Sequence, residues 1–291
     1  MQKGGGKMAG MPVDISRLFV MLLEQCNFSC GHCAWKDGRL EGQPATHPGY
    51  KVSYAQMRTC LTEVQELQCV QRIHFSGGET TLWKDANKDF VDLLIEVAAA
   101  GFEPSFITNG SSFGRYDKCQ EFLERYLSGS NRTLHISHSL DTFHGNFHAR
   151  KGRAKSLDNL IRFGKGQRAE KQDLLHMEVN ACISKDPDSL LPKDMIEYYR
   201  SQGIGFLFCP VRPSGKAKSI SHLCPNTDSD TPEELGAFYP FLQQYKDYMK
   251  SWSRCVSLYG EKYQFPDGKV AKLRELREFL VDSQSPTSTP A

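Results

Sequence analysis

The sequence predicts an α/β protein with a parallel sheet. Apolar runs of strand length alternate with segments of helical spacing six times along the chain, and this alternation is typical of strand–helix–strand units. Because each crossover helix returns the chain to the same end of the sheet, we expect consecutive strands to be parallel. Polar or glycine-rich stretches follow the first four strands, at the edge where parallel α/β sheets gather their functional residues.

Each strand and helix rests on a local pattern. The first strand is the apolar run "RLFVMLL" at 17–23, and Ser53 opens the first helix because serine is a favoured N-cap. Gly101 closes the second helix, as glycine commonly does just beyond a helix end. The other predicted strands are 71–75, 104–108, 133–140, 174–184 and 204–211, and the predicted helices are 53–67, 87–101, 115–127, 156–164 and 190–203.

Composition argues for an ordinary globular chain. The net charge of +2 does not indicate a nucleic-acid surface, and no apolar run approaches the roughly 20 residues of a membrane span. We therefore expect neither nucleic acid nor membrane as a partner. Residues 1–14 lack the apolar core of a secretory signal and are expected to be a disordered leader, with 283–291 a disordered tail. A chain of 291 residues does not need disulfides to fold, so its ten cysteines indicate a cytoplasmic protein with reduced thiols.

Three cysteines in the stretch "CNFSCGHC" follow the first strand directly: Cys26, Cys30 and Cys33. A disulfide cluster is the weakest interpretation, because three neighbouring thiols cannot pair among themselves. A Cys₃His zinc site is a second interpretation, with His32 or a distant histidine as fourth ligand, although no second CxxC is present. A third is a [4Fe–4S] cluster held by three thiolates, which leaves one iron open to a substrate or cofactor.

Motifs at the next three strand ends add to the cysteine spacing. "SGGET" (76–80) follows strand two, "TNG" (108–110) follows strand three and "SLD" (139–141) follows strand four. Together with CxxxCxxC these motifs resemble the radical S-adenosylmethionine (SAM) superfamily over residues 17–220. His32 stands at a position that is usually aromatic in that family. The resemblance favours the iron–sulfur interpretation over zinc.

The resemblance implies the architecture more closely. Residues 15–220 are expected to form a partial (β/α)6 TIM-like barrel with parallel strands. A short C-terminal helical and hairpin extension is expected at 221–282, with a helix at 231–252 and a hairpin turn at Asp267–Gly268.

Relatives often carry an auxiliary cluster in such an extension. Here Leu273 stands where the family pattern places the next cysteine after Cys255. We therefore expect an extension without a cluster, while an auxiliary cluster on Cys209, Cys224 and Cys255 stays an alternative.

The resemblance also implies the cofactors and their ligands, namely a [4Fe–4S] cluster on the three cysteines and SAM on its open iron. His32 would lie beside the adenine, Glu79 would meet the SAM ammonium group, and Gly77 and Gly78 would let the backbone approach closely. The residues implied to bind SAM are His32, Ser76, Gly77, Gly78, Glu79, Thr108, Asn109, Ser139, Asp141 and Asn180. Ordinary turns at "GG" and "TNG", and a core amide at Asn180, are the structural alternatives.

The family chemistry implies reductive cleavage of SAM to a 5′-deoxyadenosyl radical, which abstracts hydrogen from a substrate. The segments 139–163 and "PVRPSGKAK" (210–218) resemble peptide- and cofactor-maturing members. We therefore predict an enzyme acting on a peptide or small biosynthetic precursor, with a flavodoxin- or ferredoxin-type reductant. Asp141 and His138 are the candidate catalytic groups. A viperin-like nucleotide-modifying enzyme and a zinc-stabilised binding module are the alternative functions.

Overall fold

The structure is a computed structural model. It describes residues 16–33, 49–66, 70–144, 154–167, 169–212, 215–225, 231–236, 238–245, 256–259, 262–264 and 270–271. The predictions for the leader, the tail, the Asp267–Gly268 turn, Cys255 and Leu273 lie outside these residues.

Six parallel strands lie side by side in one sheet in the described part of the chain, in the order β1-β2-β3-β4-β5-β6, with β6 at one edge. These strands are β1 Arg17–Leu23, β2 Arg72–Gly77, β3 Glu103–Thr108, β4 Leu134–Ser139, β5 Leu175–Ile183 and β6 Gly205–Pro210. The predicted α/β class with parallel strands is therefore confirmed, and the arrangement is that of a partial TIM-like barrel.

Helices connect the strands where the sequence pattern predicts them. The helices are α1 Tyr54–Gln65, α2 Phe90–Ala99, α3 Tyr116–Gly129, α4 Lys155–Lys165 and α5 Lys193–Ser201, with a single turn at Ala169–Gln172. Ser53 caps α1 through a capping box with Gln56, in which each side chain accepts from the other residue's backbone amide. None of the described helices is long and apolar enough to cross a bilayer.

The second helix begins later than predicted. Lys88–Asp89 pairs with Lys84–Asp85 in a small antiparallel hairpin, so the first three residues of the predicted 87–101 helix are not helical. Asp89 then caps α2, accepting from the amides of Val91 and Asp92. A strong N-cap at this position starts the helix at Phe90.

The predicted helix 231–252 is also different. The described residues show two short helices instead, α6 Pro232–Leu235 and α7 Phe238–Tyr245. Gly236 lies between them with φ +53° and ψ −130°, which is not a helical conformation. Glycine adopts positive φ with little strain, so α6 ends there.

The C-terminal segment joins the same sheet. Strand β7 Val256–Tyr259 pairs parallel with β1, β8 Lys262–Gln264 pairs antiparallel with β7, and β9 Val270–Ala271 pairs antiparallel with β8. Strands β8 and β9 thus flank the predicted hairpin turn.

The two faces of the sheet differ in chemistry. On the helix-packed face, the ring of Phe90 in α2 lies edge-on to Phe75 at 5.7 Å and to Phe106 at 5.2 Å, and all three are buried. On the opposite, concave face, His74 Nδ1 lies 2.7 Å from Ser105 Oγ. Because side chains alternate along a strand, the apolar core lies under the helices and polar groups line the barrel interior.

A candidate active site at the carboxyl ends of the strands

The three cysteines of the CxxxCxxC motif lie in the loop that leaves β1 at its carboxyl end. All three side chains are half-buried free thiols. The Cys33 amide donates to the Cys30 carbonyl oxygen at 3.3 Å and closes a turn. The Phe28 amide donates to Cys26 Sγ at 3.4 Å. The loop therefore carries three sulfur atoms within eight residues of chain.

The surroundings of these thiols disfavour their ionisation without a cation. Burial raises the pKa of Cys30 to about 11, and Asp141 and the other two thiols add to the effect. Burial also raises the pKa of Cys26; the Phe28 amide opposes this, while Glu79 and Cys33 reinforce it. Three thiolates in this setting need a positive partner, and bound iron supplies one. The donor set therefore fits an iron–sulfur cluster.

The distances between possible ligand atoms are relevant to the alternative interpretation of the cysteines as a zinc site. Among the described residues, one group of three brings its ligand atoms within 4.8 Å of one another, and that group is His32, Asp141 and Cys182. The three motif cysteines do not form such a group. A single zinc ion would gather its thiolates to about 4 Å, since each Zn–S bond is about 2.3 Å, whereas a four-iron cluster gives each thiolate a separate iron. Within the described residues, this grouping therefore gives no support to a single zinc ion on the three motif cysteines.

The glycines of "SGGET" lie against the start of the cysteine loop. A Cβ added to Gly77, whose φ is +131°, would lie 2.3 Å from the Leu23 carbonyl oxygen, and one added to Gly78 would lie 2.1 Å from that of Gln25. The Gly78 amide donates to Leu23 O at 2.7 Å, and the Glu79 amide to Gln25 O at 2.9 Å. The structure thus gives a reason of its own for the glycines, since they lie against the backbone of the chain entering the cysteine loop, while their close approach to SAM stays a prediction.

Glu79 is fully buried at the end of β2. Its Oε1 accepts from Thr108 Oγ1 at 2.7 Å and from Thr81 Oγ1 at 2.6 Å, and its Oε2 accepts from the Asn109 amide at 2.7 Å. Hydroxyl and amide donors therefore hold this carboxylate in place. Its contact with a SAM ammonium group, and a SAM contact for the Thr108 hydroxyl, stay predictions.

Asn109 connects β3 to the cysteine loop. Its Nδ2 donates to Asn27 Oδ1 at 2.8 Å and lies 3.8 Å from Cys26 Sγ. Its Oδ1 accepts from the Ser111 amide at 2.9 Å, which fixes the orientation of the amide group. Asn27 was not among the predicted site residues. Its position directly after Cys26 is the sequence feature that could have indicated its role in the loop.

Asp141 lies at the end of β4 and is fully buried. Its Oδ1 accepts from the Phe143 amide at 3.0 Å and lies 2.7 Å from His144 Nδ1, and its Oδ2 accepts from the Cys182 amide at 2.9 Å. Burial opposes ionisation of Asp141, yet His144 and the other donors hold its pKa below the ordinary value. Asp141 thus joins β4 to β5, while its predicted roles in ribose binding and catalysis stay predictions.

The ring of His32 packs beside this group. It lies 4.8 Å from the ring of Phe143 and 4.9 Å from that of His144. Burial lowers the pKa of His32 to about 4, and its buried Nδ1 has no hydrogen-bond partner within the described structure. A neutral imidazole with an unsatisfied ring nitrogen suits the edge of a bound heterocycle.

Ser76, Ser139 and Asn180 reach the concave face near the same edge. Ser139 pairs in register with Asn180 of β5, and Asn180 Oδ1 accepts from the Cys209 thiol at 2.9 Å. Ser76 is half-buried opposite Met21 of β1. The predicted side chains from strands one, two, four and five therefore converge on one end of the barrel.

His138 does not join them. Side chains alternate along β4, so His138 points to the opposite face from Ser139. Its Nε2 lies 2.7 Å from Ser156 Oγ in α4, and its side chain is fully buried. The structure thus places this catalytic candidate under a helix, outside the site.

Comparisons with known proteins identify one matching family and two similar solved structures. The family model described as "Radical SAM superfamily" matches residues 20–165, and no curated protein matches the chain. Among solved structures, BtrN in complex with AdoMet and 2-DOIA is 13% identical with a TM-score of 0.36, covering 79% of this chain and 86% of BtrN. Native anSMEcpe with bound AdoMet is 16% identical with a TM-score of 0.39, covering 67% of this chain and 52% of its own. At these values neither structure bears on activity or substrate.

Proposed function

Because the chain belongs to the radical SAM superfamily, and is therefore a SAM-dependent enzyme with a [4Fe–4S] cluster, we propose that Cys26, Cys30 and Cys33 hold that cluster and that the substrate is a peptide or small biosynthetic precursor. The observation that supports the site is the linkage of successive strand ends around the cysteine loop. Gly78 and Glu79 bond to the chain that enters the loop.

The cluster and SAM, when bound, supply one-electron chemistry that removes a hydrogen atom from the substrate. The chain's own residues hold and shield these groups. Glu79 fixes the ends of β2 and β3 through Thr108, while Asn109 holds the cysteine loop through Asn27. Positioning of this kind is the main contribution a protein makes to cofactor chemistry.

The concave face supports a hydrogen-bonding substrate. Ser137 donates to Glu178 across β4 and β5, and Asn180 accepts from the thiol of Cys209. Strand register places Ser137 and Glu178 on the same face as Ser139, one pleat repeat further into the barrel. Amide, amine or hydroxyl groups of a peptide or small precursor would find partners there. The Glu178 carboxylate disfavours a polyphosphate in this part of the face.

The proposed reductant is a flavodoxin- or ferredoxin-type protein, because the cluster needs one electron for each SAM cleaved. The cytoplasmic compartment is proposed from the sequence alone, because a chain of 291 residues does not need disulfides to fold.

Anaerobic reconstitution tests the proposal. We expect the chain to bind iron and sulfide, to show the broad absorbance of a [4Fe–4S] cluster, and to form 5′-deoxyadenosine from SAM and a chemical reductant. The Cys30→Ala variant should lose both properties, and Cys119→Ala, which removes a buried thiol in α3, should keep them. Absence of cluster absorbance and of 5′-deoxyadenosine in the native chain would reject the proposal.

Substrate class needs a second measurement. Deuterated peptides, small precursors and nucleotides can each be added to the reconstituted enzyme. Transfer of deuterium into 5′-deoxyadenosine from a peptide or small precursor supports the proposed class, whereas transfer only from a nucleotide would replace it with nucleotide modification.

A further inference from the structure

A contact crosses the mouth of the barrel from the segment after β6 to the cysteine loop. The 3₁₀ segment Gly215–Leu223 follows β6. Its Lys216 amide donates to the Cys33 carbonyl oxygen at 3.0 Å, and Lys216 Nζ donates to Ser29 Oγ at 3.0 Å. Strand β6 and strand β1, from which the loop emerges, are separated by four strands in the sheet. The contact therefore joins two parts of the barrel that share no strand pairing.

The backbone that presents Lys216 is held firmly. Gly215 has φ +56° and is buried, which suits glycine and turns the chain into the segment. Ala217 packs with Val211 and Cys224 in a small core. The far end is fixed by the Lys185 amide, which donates to the Leu223 carbonyl oxygen at 2.9 Å.

The same small core touches the SAM side of the site. Phe143 packs against it, and the ring of Phe143 lies 4.8 Å from that of His32. The segment therefore supports two residues of the cysteine loop. Through Phe143 it supports His32, which precedes Cys33, and through the side chain of Lys216 it supports Ser29, which precedes Cys30.

Lys216 also introduces a charge of the right sign. A [4Fe–4S] cluster on three thiolates is anionic, and reduction adds a further negative charge. A fixed ammonium group near the loop stabilises the reduced cluster more than the oxidised one, because the attraction grows with the cluster's charge.

We propose that Lys216 is a positioning residue that closes the cysteine loop against the far edge of the sheet and raises the reduction potential of the bound cluster. The inference rests on the proposed function, since it needs the cluster on Cys26, Cys30 and Cys33. Its two parts have separate readouts: the hydrogen bonds control how long the loop retains iron, and the charge controls the potential.

The test uses the reconstituted protein and four variants. Lys216→Met removes the charge and the side-chain hydrogen bond to Ser29, but keeps the length of the side chain and the backbone bond to Cys33. Lys216→Arg keeps the charge, and Ser29→Ala removes the acceptor while leaving the lysine. Lys218→Met removes the same charge from an exposed lysine two positions further along the segment, and is the matched control.

We expect Lys216→Met to shift the cluster's reduction equilibrium about tenfold toward the oxidised form, which is about 59 mV for one electron. Lys216→Arg should restore the native potential, and Lys218→Met should leave it unchanged. The shift should diminish at high salt, because the Debye length falls from about 10 Å at 0.1 M to about 3 Å at 1 M. Loss of iron to a chelator should be several-fold faster in Lys216→Met and in Ser29→Ala.

The outcomes separate the inference from the function on which it rests. If the native chain and Lys218→Met carry the cluster and Lys216→Met has the native potential and the native rate of iron loss, the inference is wrong and the proposed function stands. If Lys218→Met shifts the potential as much as Lys216→Met, the effect is one of overall charge, which also overturns the inference. If the native chain carries no cluster, the proposed function fails, and the inference fails with it.

Discussion

The carboxylate of Glu79 accepts a 2.7 Å hydrogen bond from the hydroxyl of Thr108. This bond joins the carboxyl ends of β2 and β3 through a side chain with no exposed surface. The neighbouring Asn109 donates to the same carboxylate through its amide and to the cysteine loop through its side chain. Glu79 thus stands at the start of a chain of hydrogen bonds that ends beside Cys26.

Replacing Glu79 with glutamine tests this relationship. An amide nitrogen cannot accept the bonds that a carboxylate oxygen accepts, so at least one buried donor would lose its partner. We expect Glu79→Gln to lower the free energy of unfolding by about 2 kcal/mol and to speed the loss of iron. Urea unfolding and a chelator challenge measure the two effects. Glu121→Gln, an exposed residue of α3, is the control, and equal losses in both variants would contradict the assignment.

Local sequence patterns were sufficient to predict the strands and to place the motifs at the strand ends. The apolar run of β1 and the Ser53 cap of α1 act within a few residues, so the strand and helix they specify lie where expected. The CxxxCxxC, SGGET and SLD motifs each lie at or just beyond the carboxyl end of a strand, and parallel strands bring these ends to one edge.

Long-range partners were not predictable in the same way. The bond from Lys216 to Ser29 joins residues 187 positions apart, and no local pattern marks either as a partner of the other. His138 is a simpler case, since alternation along β4 turns it toward Ser156 and away from the face of Ser139. The role of Gly78 depends on the backbone of Gln25, which the sequence does not place.

The pair Asn109 and Asn27 is suited to a double-mutant cycle. Their side chains share one hydrogen bond of 2.8 Å. We expect Asn109→Ala and Asn27→Ala each to speed iron loss, and the double variant to fall short of the summed effects by about 1 kcal/mol. Rates of cluster bleaching in the presence of a chelator supply the four corners of the cycle. Fully additive effects would show that the bond does not hold the loop.

The buried imidazole of His138 should make the free energy of unfolding depend on pH. Burial, followed by the nearby His144, lowers its pKa from 6.5 to about 4. Between those pH values the unfolded chain takes up a proton that the folded chain refuses, so stability falls as the pH falls. The cost approaches about 3 kcal/mol at the acid end of that range.

The His138→Gln variant should lose this part of the acid destabilisation. Urea unfolding measured from pH 7 to pH 4.5 tests it, and Ser156→Ala is the control because it removes the hydrogen-bond partner but keeps the buried imidazole. Because the ring lies under α4, His138→Gln should still form 5′-deoxyadenosine. An unchanged acid slope in His138→Gln would refute the prediction.

Gly78 and Gly101 are glycines for two different physical reasons, a lack of space for a Cβ and a positive φ, and substitutions can test the two separately. A methyl group at Gly78 would lie 2.1 Å from the carbonyl oxygen of Gln25, whereas at Gly101, with φ +96°, it would meet nothing within 4 Å. Gly101→Ala should therefore cost only the strain of positive φ, about 1 kcal/mol. Gly78→Ala should cost about 3 kcal/mol or more, because backbone rather than a flexible side chain must move. It should also displace the cysteine loop and reduce the iron bound per chain, which Gly101→Ala should not do. Equal costs, or full iron content in Gly78→Ala, would mean that the turn at Gly77–Glu79 does not fix the loop.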